Sequence, residues 1–253
     1  MKLAFTKYQG TGNDFVVIDN RDLRFPKDKK MVSKLCDRRF GIGADGLMLI
    51  ESHDDLDFRM IYFNSDGSQS LCGNGSRCAV SFARSIGLAS DRTTFETTDG
   101  VHQAFFRNGN VNFQLHDILA VERRGTDFFI HNGSPHHIQF VEDLDRQDVK
   151  AMGRKIRYSM DYEPEGTNVN FVEKGETLKV RTYERGVEDE TLSCGTGVTA
   201  VAIAASLEGY ESPVKISTKG GELSVSFRID GHRFTDIFLC GPAQEVFSGT
   251  IEI

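Results

Sequence analysis

The stretch "TLSCGTGVTAVAIAASLEG", residues 191–209, places one cysteine and two glycines directly in front of an apolar run. The run is apolar at nearly every position, and an element without a polar face is typical of a helix buried within a sheet. Gly209 follows the run where glycine commonly ends a helix. We therefore predict a buried helix that begins directly after Cys194.

A second stretch, "SLCGNGSRCAVSFARSIGLA" at residues 70–89, repeats this arrangement about half the chain earlier. It has the same C-G-x-G, a mostly small and apolar run, and Gly87 at the predicted helix end. A β-rich run precedes each cysteine. The repetition predicts an internal duplication of a mixed domain, in which a β-sheet surrounds a central helix.

Most of the remaining chain consists of short β-rich runs that end at Gly, Asn or Asp, such as "DFVVIDN", "FRMIYFN", "VNFVEK" and "LKVRTYE". Two further helices are predicted within "PKDKKMVSKLCDRRF" and "LDRQDVKAMGRKIRYS". Apolar periodicity is lost in "HDILAVERRGTD", so we expect the boundary between the two halves near residues 115–125.

Composition narrows the class of protein. The chain has 253 residues and a formal net charge of −7, without a dense basic run, which argues against a nucleic-acid partner. Five scattered cysteines are not the framework of a small secreted domain, and no signal peptide or membrane-spanning stretch is evident. We expect a soluble cytoplasmic protein. Adjacent His136 and His137 would point to opposite sides of a strand, so no metal site is predicted.

The two predicted helix starts indicate a chemistry. Unpaired N–H groups at a helix N-terminus bind a carboxylate and stabilise a thiolate, and glycine permits close backbone approach. Two such cysteines on either side of one small ligand would remove a proton from one face of a carbon and return one to the other. Racemisation or epimerisation is therefore the predicted reaction, with Cys72 and Cys194 as its acid and base.

The same residues allow other interpretations. A single cysteine beside an apolar helix is usually core packing, and Cys36, Cys78 and Cys240 are interpreted in that way. A dithiol redox site is disfavoured because no C-x-x-C is present. Polar residues in loops and at strand ends could form an amino-acid pocket or could be ordinary turn and surface residues; they are Asn13, Asn64, Asn168, Glu184 and Arg185.

The chain resembles the diaminopimelate epimerase family. The resemblance is carried, in order, by "KYQGTGNDFVVID", "RRFGIGADGLM", "NSDGSQSLCGNGSRC", "GTNVNF", "YERG", "TLSCGTG" and "GPAQEVFSGTIEI". It implies an α/β (α+β) fold of two pseudo-symmetric domains, each a mostly antiparallel β-sheet or barrel wrapped around a central helix. The implied domains are residues 1–117 with 242–253, and residues 118–241.

The resemblance also implies a function and residue roles. The expected reaction interconverts L,L- and meso-diaminopimelate without a cofactor, in lysine and peptidoglycan-precursor synthesis, and a homodimer is possible. Cys72 and Cys194 would be the two acid/base thiols. The other implied substrate contacts are Gly73, Asn74, Gly195 and Thr196 at the reacting α-carboxylate, Asn13 and Glu184 at the same end, and Asn64, Asn168 and Arg185 at the distal amino-acid end.

Three departures from the family pattern concern substrate contacts and one loop. Ser134 stands where asparagine is common before Pro-His, Gly46 stands where some members carry glutamine, and "RGVEDETLSC" is one residue longer than usual. Proline racemases and hydroxyproline epimerases typically have C-G-H-G at the first cysteine, so Asn74, together with Glu184 and Arg185, favours diaminopimelate. A non-catalytic amino-acid-binding protein is the alternative from another class.

Overall fold

The computed structural model describes residues 2–253, which divide into two compact units. The first unit contains the residues up to Phe113 together with Gly241–Ile253, and the second contains Gln114–Cys240. No helix within residues 2–253 is long and apolar enough to cross a membrane.

The first unit is a sheet with two helices. Its elements are β1 (Lys2–Gly10), β2 (Asn13–Asp19), α1 (Lys29–Cys36), β3 (Gly46–Glu51), β4 (Phe58–Asn64), α2 (Gly73–Ser85), β5 (Arg92–Thr97), β6 (Gly100–Arg107), β7 (Asn110–Gln114) and, from the C-terminus, β17 (Gln244–Glu252). Neighbouring strands pair antiparallel except β2 with β3 and β4 with β5, which run parallel. The last strand, β17, pairs with β1 and so returns the chain to this unit.

The second unit repeats this order. Its elements are β8 (Glu122–Arg124), β9 (Asp127–His131), β10 (Pro135–Val141), a 3-10 turn (Leu144–Arg146), α3 (Val149–Arg157), β11 (Asn168–Glu173), β12 (Leu178–Glu184), β13 (Asp189–Thr191), α4 (Gly195–Ser206), β14 (Val214–Thr218), β15 (Gly221–Asp230) and β16 (Arg233–Gly241). The parallel pairs are β10 with β11 and β12 with β14, and the other pairs within the unit are antiparallel.

The two units share one internal plan. In each, a parallel pair encloses the first helix in sequence (α1 or α3), and a second parallel pair encloses the helix that follows the cysteine (α2 or α4). The predicted α+β fold of two pseudo-symmetric, mostly antiparallel domains is therefore confirmed. The strand β13 is an addition to this plan and lies between Arg185 and Cys194.

The strands beside the cysteine helices are buried on both faces. In the first unit Val16 and Leu47 belong to a core cluster to which α1 contributes Val32 and Leu35. Phe15 precedes Val16 in β2 and Met48 follows Leu47 in β3. Both lie against α2, since a Cβ at Gly75 would be 3.5 Å from Phe15 and 3.4 Å from Met48. Burial on both faces explains why these strands are continuously apolar in sequence.

The two central helices are packed inside their sheets. Strands β1 to β4 and β17 surround α2, and strands β9 to β11, β14 and β15 surround α4. Ten of the twelve residues of α4 are buried, as the nearly continuous apolar sequence predicts. The predicted glycine caps are also confirmed, because Gly87 and Gly209 adopt the left-handed backbone with φ of 78° and 94°.

Candidate active site

Both C-G-x-G cysteines occupy the N-cap of their helix. The backbone angles φ and ψ are −128° and 109° at Cys72 and −119° and 111° at Cys194, so the two residues have the same extended geometry. The helix begins at the following glycine in each case. The predicted helix starts are confirmed, and each thiol lies beside the positive end of a helix dipole.

In the first unit, Cys72 lies within a group of amide contacts. Its Sγ accepts a hydrogen bond from the backbone N–H of Gly75 at 3.4 Å and lies 3.5 Å from Oδ1 of Asn13. The same oxygen accepts from Nδ2 of Asn74 at 3.4 Å. The structure thus brings together Asn13, Cys72 and Asn74, which are half-buried or buried.

Asn64 lies at the end of β4, and its contacts are local. Its Nδ2 donates to Oγ of Ser68 at 2.9 Å, and its Oδ1 accepts from Oγ of Ser70 at 3.2 Å. Gly46 is its partner across β3 and β4. A Cβ at Gly46 would lie 2.5 Å from the ring of Tyr62 and 2.6 Å from the carbonyl oxygen of Phe63, so this backbone leaves no room for a side chain there.

In the second unit, Cys194 is 7% exposed, and its Sγ lies 3.6 Å from Oγ1 of Thr196. The carbonyl oxygen of Thr196 accepts from Nδ2 of Asn132 at 2.8 Å. Gly197 passes so close to Asn170 that a Cβ would lie 2.5 Å from its Oδ1. Asn132 and Asn170 therefore shape the first turn of α4 from outside the helix.

Two of the three predicted distal-end residues, Asn168 and Arg185, form a second group in this unit. Buried Asn168 donates through Nδ2 to Oγ of Ser134 at 2.8 Å and to the carbonyl oxygen of Pro135 at 2.9 Å. Its Oδ1 accepts from the backbone N–H of Arg185 at 2.8 Å. Half-buried Glu184 precedes Arg185 at the end of β12. The hydroxyl of Ser134 is thus hydrogen-bonded to Asn168, the first residue of β11.

The other cysteines differ in their surroundings. Burial raises the pKa of both Cys36 and Cys78 to about 12, which keeps these thiols protonated. Cys240 is half-buried in β16. Core packing, as predicted, accounts for Cys36 and Cys78.

Sequence reasoning missed several polar residues that hold the site residues in place. Asp45 accepts from Nδ2 of Asn13 at 2.6 Å, and fully buried Arg77 donates to Oδ1 of Asn74 at 3.0 Å. An unexpected polar residue in an apolar run, Arg77 in α2, was the only signal in the sequence. No local pattern marks Asp45.

A buried histidine was also missed as a candidate. Burial lowers the pKa of His136 to about 3, so the ring is neutral. Its Nδ1 lies 3.3 Å from Nδ2 of Asn170, which makes Nδ1 the acceptor and places the ring hydrogen on Nε2.

Comparison with known proteins identifies relatives of this chain. The family described as diaminopimelate epimerase matches residues 5–115 and 128–246. The diaminopimelate epimerase of Flavobacterium psychrophilum is 50% identical over 252 residues, covering 97% of this chain and 98% of the relative. That of Aquifex aeolicus is 44% identical over 275 residues, covering 98% of each.

Solved structures share the fold at low sequence identity. A phenazine biosynthesis protein of the PhzF family from Bacillus anthracis superposes with a TM-score of 0.77 at 15% identity, covering 100% of both chains. A hydroxyproline epimerase from Agrobacterium vitis gives a TM-score of 0.72 at 14% identity, covering 99% of this chain and 92% of the other. Given the sequence matches over nearly the whole length, the chain belongs to the diaminopimelate epimerase family.

Proposed function

We propose that this protein interconverts L,L- and meso-diaminopimelate by proton transfer at one α-carbon, in lysine and peptidoglycan-precursor synthesis. Family membership supports the substrate. The observation that carries the chemistry is the identical placement of Cys72 and Cys194 at the N-caps of two buried helices. No cofactor is required by this proposal, because the two thiols supply both the base and the acid.

The proposed reaction is a two-base exchange. One cysteine, as thiolate, takes the α-proton from one face of the carbon, and the electron pair moves toward the carboxylate as an enolate. The other cysteine donates its S–H proton to the opposite face. The products are the inverted amino acid and a pair of cysteines whose protonation states have been exchanged.

The two helix starts would stabilise the enolate. Backbone N–H groups at the start of α2 and α4 are donors for a carboxylate whose negative charge increases in the transition state. We assign this contact to Gly73 with Asn74 and to Gly195 with Thr196. Buried donors contribute more than exposed ones because less water competes for them.

The remaining site residues are proposed to orient the two amino-acid groups. Asn13, which touches Cys72, and Glu184 would bind the reacting end. Asn64, Asn168 and Arg185 would bind the distal end, where the contact of Asn168 with the backbone of Arg185 holds the two together. In this chain Ser134 would act on distal recognition through Asn168.

We also propose a cytoplasmic homodimer that binds neither nucleic acid nor membrane. The formal net charge of −7 supports the absence of a nucleic-acid partner. Sedimentation velocity at micromolar concentration tests the dimer: a mass near twice that of one chain is expected, and a single-chain mass would contradict it.

Deuterium incorporation tests the function. L,L-diaminopimelate is incubated with the full chain in heavy water under reductant, and products are analysed by NMR and chiral separation. We expect deuterium at an inverted α-carbon together with the meso isomer. Absence of exchange in diaminopimelate, or exchange in proline instead, would overturn the proposal.

A further inference from the structure

The amide of Asn13 is held in one orientation by contacts on both of its sides. Its Nδ2 donates to Oδ2 of Asp45 at 2.6 Å, and its Oδ1 accepts from Nδ2 of Asn74 at 3.4 Å. Rotation by half a turn would place the amide oxygen against the carboxylate and its NH₂ against that of Asn74. Both reversed contacts are repulsive, so the network selects one orientation.

Asp45 is itself held by an ionic network. Its Oδ1 accepts from Nη2 of Arg38 at 2.7 Å, and the same guanidinium binds both carboxylate oxygens of Asp14 at 2.7 and 3.0 Å. Buried Lys7 binds Asp14 at 2.8 Å. Burial raises the pKa of the Asp14 carboxyl, but hydrogen bonds from Arg38 and Lys7 outweigh this and hold the pKa at about 2.

Asn74 is oriented from inside α2. Its Oδ1 accepts from Nη1 of fully buried Arg77 at 3.0 Å, which directs its Nδ2 toward Asn13. Two cations, Arg38 and Arg77, thus terminate a series of hydrogen bonds that has the oxygen of Asn13 at its centre.

The orientation of Asn13 matters because its oxygen lies 3.5 Å from Sγ of Cys72. A carbonyl oxygen accepts hydrogen bonds and cannot donate them, so it binds the S–H form and repels the thiolate. The N–H of Gly75, at 3.4 Å, donates to the sulfur in either state. On the other cysteine, the hydroxyl of Thr196 at 3.6 Å is able to donate to a thiolate.

We infer that Asp45 is a positioning residue that holds the carbonyl oxygen of Asn13 toward Cys72, so that Cys72 carries the proton while no substrate is bound. For its part in turnover this inference rests on the proposed function, and it deepens that function by naming a residue that positions a site amide and sets the protonation state of one thiol.

Alkylation tests the inference without requiring turnover. The substrate-free full chain is treated with iodoacetamide, and peptide mass spectrometry measures Cys72 and Cys194 separately. In Asp45→Asn the new amide can donate as well as accept, so Asn13 is released to turn its N–H toward the sulfur. We expect Cys72 to react about tenfold faster at neutral pH, as for one hydrogen bond transferred from thiol to thiolate, with Cys194 unchanged.

The control variants separate the effect of the Asn13 amide orientation from the effect of removing a negative charge. The charged groups that this hydrogen-bond network links to Cys72 are Asp45, Arg38, Asp14, Lys7 and Arg77. The thiol of Cys78 stays protonated because burial raises its pKa to about 12. Asp14→Asn removes one negative charge from the network but leaves the bond between Asp45 and Asn13, so about a twofold change or less is expected from screened charge. Asp45→Glu keeps a carboxylate acceptor for Asn13, so its rate of Cys72 alkylation should be close to that of wild type.

A second measurement uses the unaltered chain. We expect the pH midpoint of alkylation to be higher at Cys72 than at Cys194, a comparison that does not depend on how accessible each thiol is. In turnover, Asp45→Asn should displace the limbs of the pH profile of kcat/KM, whereas a merely structural loss lowers the rate equally at every pH.

Two alkylation results with the variants would overturn the inference: equal acceleration of Cys72 alkylation in Asp14→Asn and Asp45→Asn, or no acceleration in a folded Asp45→Asn chain. A loss of turnover in Asp45→Asn that is the same at every pH would also overturn it. So would a lower pH midpoint of alkylation at Cys72 than at Cys194 in the wild-type chain. If the wild-type chain exchanges no deuterium while the alkylation results are as expected, the proposed function fails and the assignment of the protonated thiol stands.

Discussion

At the scale of single residues, the cysteines are distinguished by their position relative to the helix starts. Desolvation keeps Cys36 and Cys78 protonated, with pKa values raised to about 12. Cys72 and Cys194 instead stand at helix N-termini, where the backbone N–H groups favour negative charge. The two pairs of cysteines therefore have different chemistry because their surroundings differ.

Removing either proposed acid/base thiol should abolish most of the turnover. We expect Cys72→Ala and Cys194→Ala each to lower kcat by about 10²- to 10⁴-fold, the usual contribution of a positioned acid or base. Chiral chromatography of the products measures this. Cys240→Ala, at a half-buried position outside the proposed site, is the matched control and should keep wild-type turnover.

Retention of turnover within about tenfold of wild type in either alanine variant would contradict the two-thiol mechanism. Calorimetric titration with diaminopimelate should still detect binding to both variants, since the carboxylate donors are backbone groups. Binding without turnover would also separate an epimerase from a binding protein.

At the scale of elements, the two C-G-x-G turns differ at their second glycine. A Cβ at Gly75 would meet its nearest neighbours, Met48 and Cys72, at 3.4 Å, which is ordinary contact. A Cβ at Gly197 would lie 2.5 Å from Oδ1 of Asn170, whose amide is bonded to the carbonyl oxygen of His137 and to Thr182. The glycine of α4 therefore permits a close approach that α2 does not need.

Alanine substitutions at these two glycines should differ in stability. We expect Gly197→Ala to lower the free energy of unfolding by about 1–3 kcal/mol, because a buried polar group must move. Gly75→Ala, its counterpart in the other unit, should be close to neutral, since alanine also favours the helix. Urea unfolding followed by circular dichroism measures both. Equal losses would show that the contact with Asn170 is unimportant.

The loop after β12 is held by one carboxylate. Burial raises the pKa of Glu188, but hydrogen bonds from Arg157, the N–H of Gly186, Tyr158 and Tyr183 outweigh it and hold the pKa at about 2, below the usual 4.5. This loop carries Arg185, so its geometry bears on the proposed distal site.

The pH dependence of stability should report this carboxylate. Because the folded pKa is depressed, Glu188 stabilises the fold above pH 4.5, and its contribution disappears as the pH falls toward 2. We therefore expect the urea concentration at the unfolding midpoint to be higher for wild type than for Glu188→Gln at pH 7. This difference should be smaller at pH 3. Glu176→Gln, an exposed glutamate of the same unit, should show no such change. A difference that is independent of pH would contradict this assignment.

At the scale of the whole molecule, the last strand stabilises the unit in which the chain begins. β17 pairs with β1 from Lys2 with Glu252 to Gln9 with Gln244, and Phe247 packs edge-on against Phe5 at 5.9 Å between ring centroids. Folding of the first unit thus requires residues from both ends of the sequence.

Ending the chain after residue 243 should destabilise the first unit selectively. Loss of β17 removes a full set of ladder hydrogen bonds and opens the edge of β1. Hydrogen exchange with mass spectrometry should show lost protection in β1 and β2, while β11 and β12 stay protected and serve as the internal control. Uniform loss of protection in both units, or none in either, would contradict this expectation.

Much of the fold was predictable from local pattern. The β-rich runs, the four helices and both glycine caps follow from periodicity and from residues that end helices, which depend on near neighbours in sequence. The repeated C-G-x-G predicted two similar units. The sequence therefore determined by itself the elements, their duplication, and Cys72 and Cys194 as the residues of interest.

Only the tertiary structure decided how those cysteines are held. Asp45 meets Asn13 across 32 residues because β2 and β3 pair in parallel with Phe15 opposite Gly46, and a one-residue slip would remove the contact. Arg77 is isolated in an apolar helix until folding buries it beside Asn74. Strand register and burial arise from packing of distant segments, so no local pattern specified the orientation of the Asn13 amide.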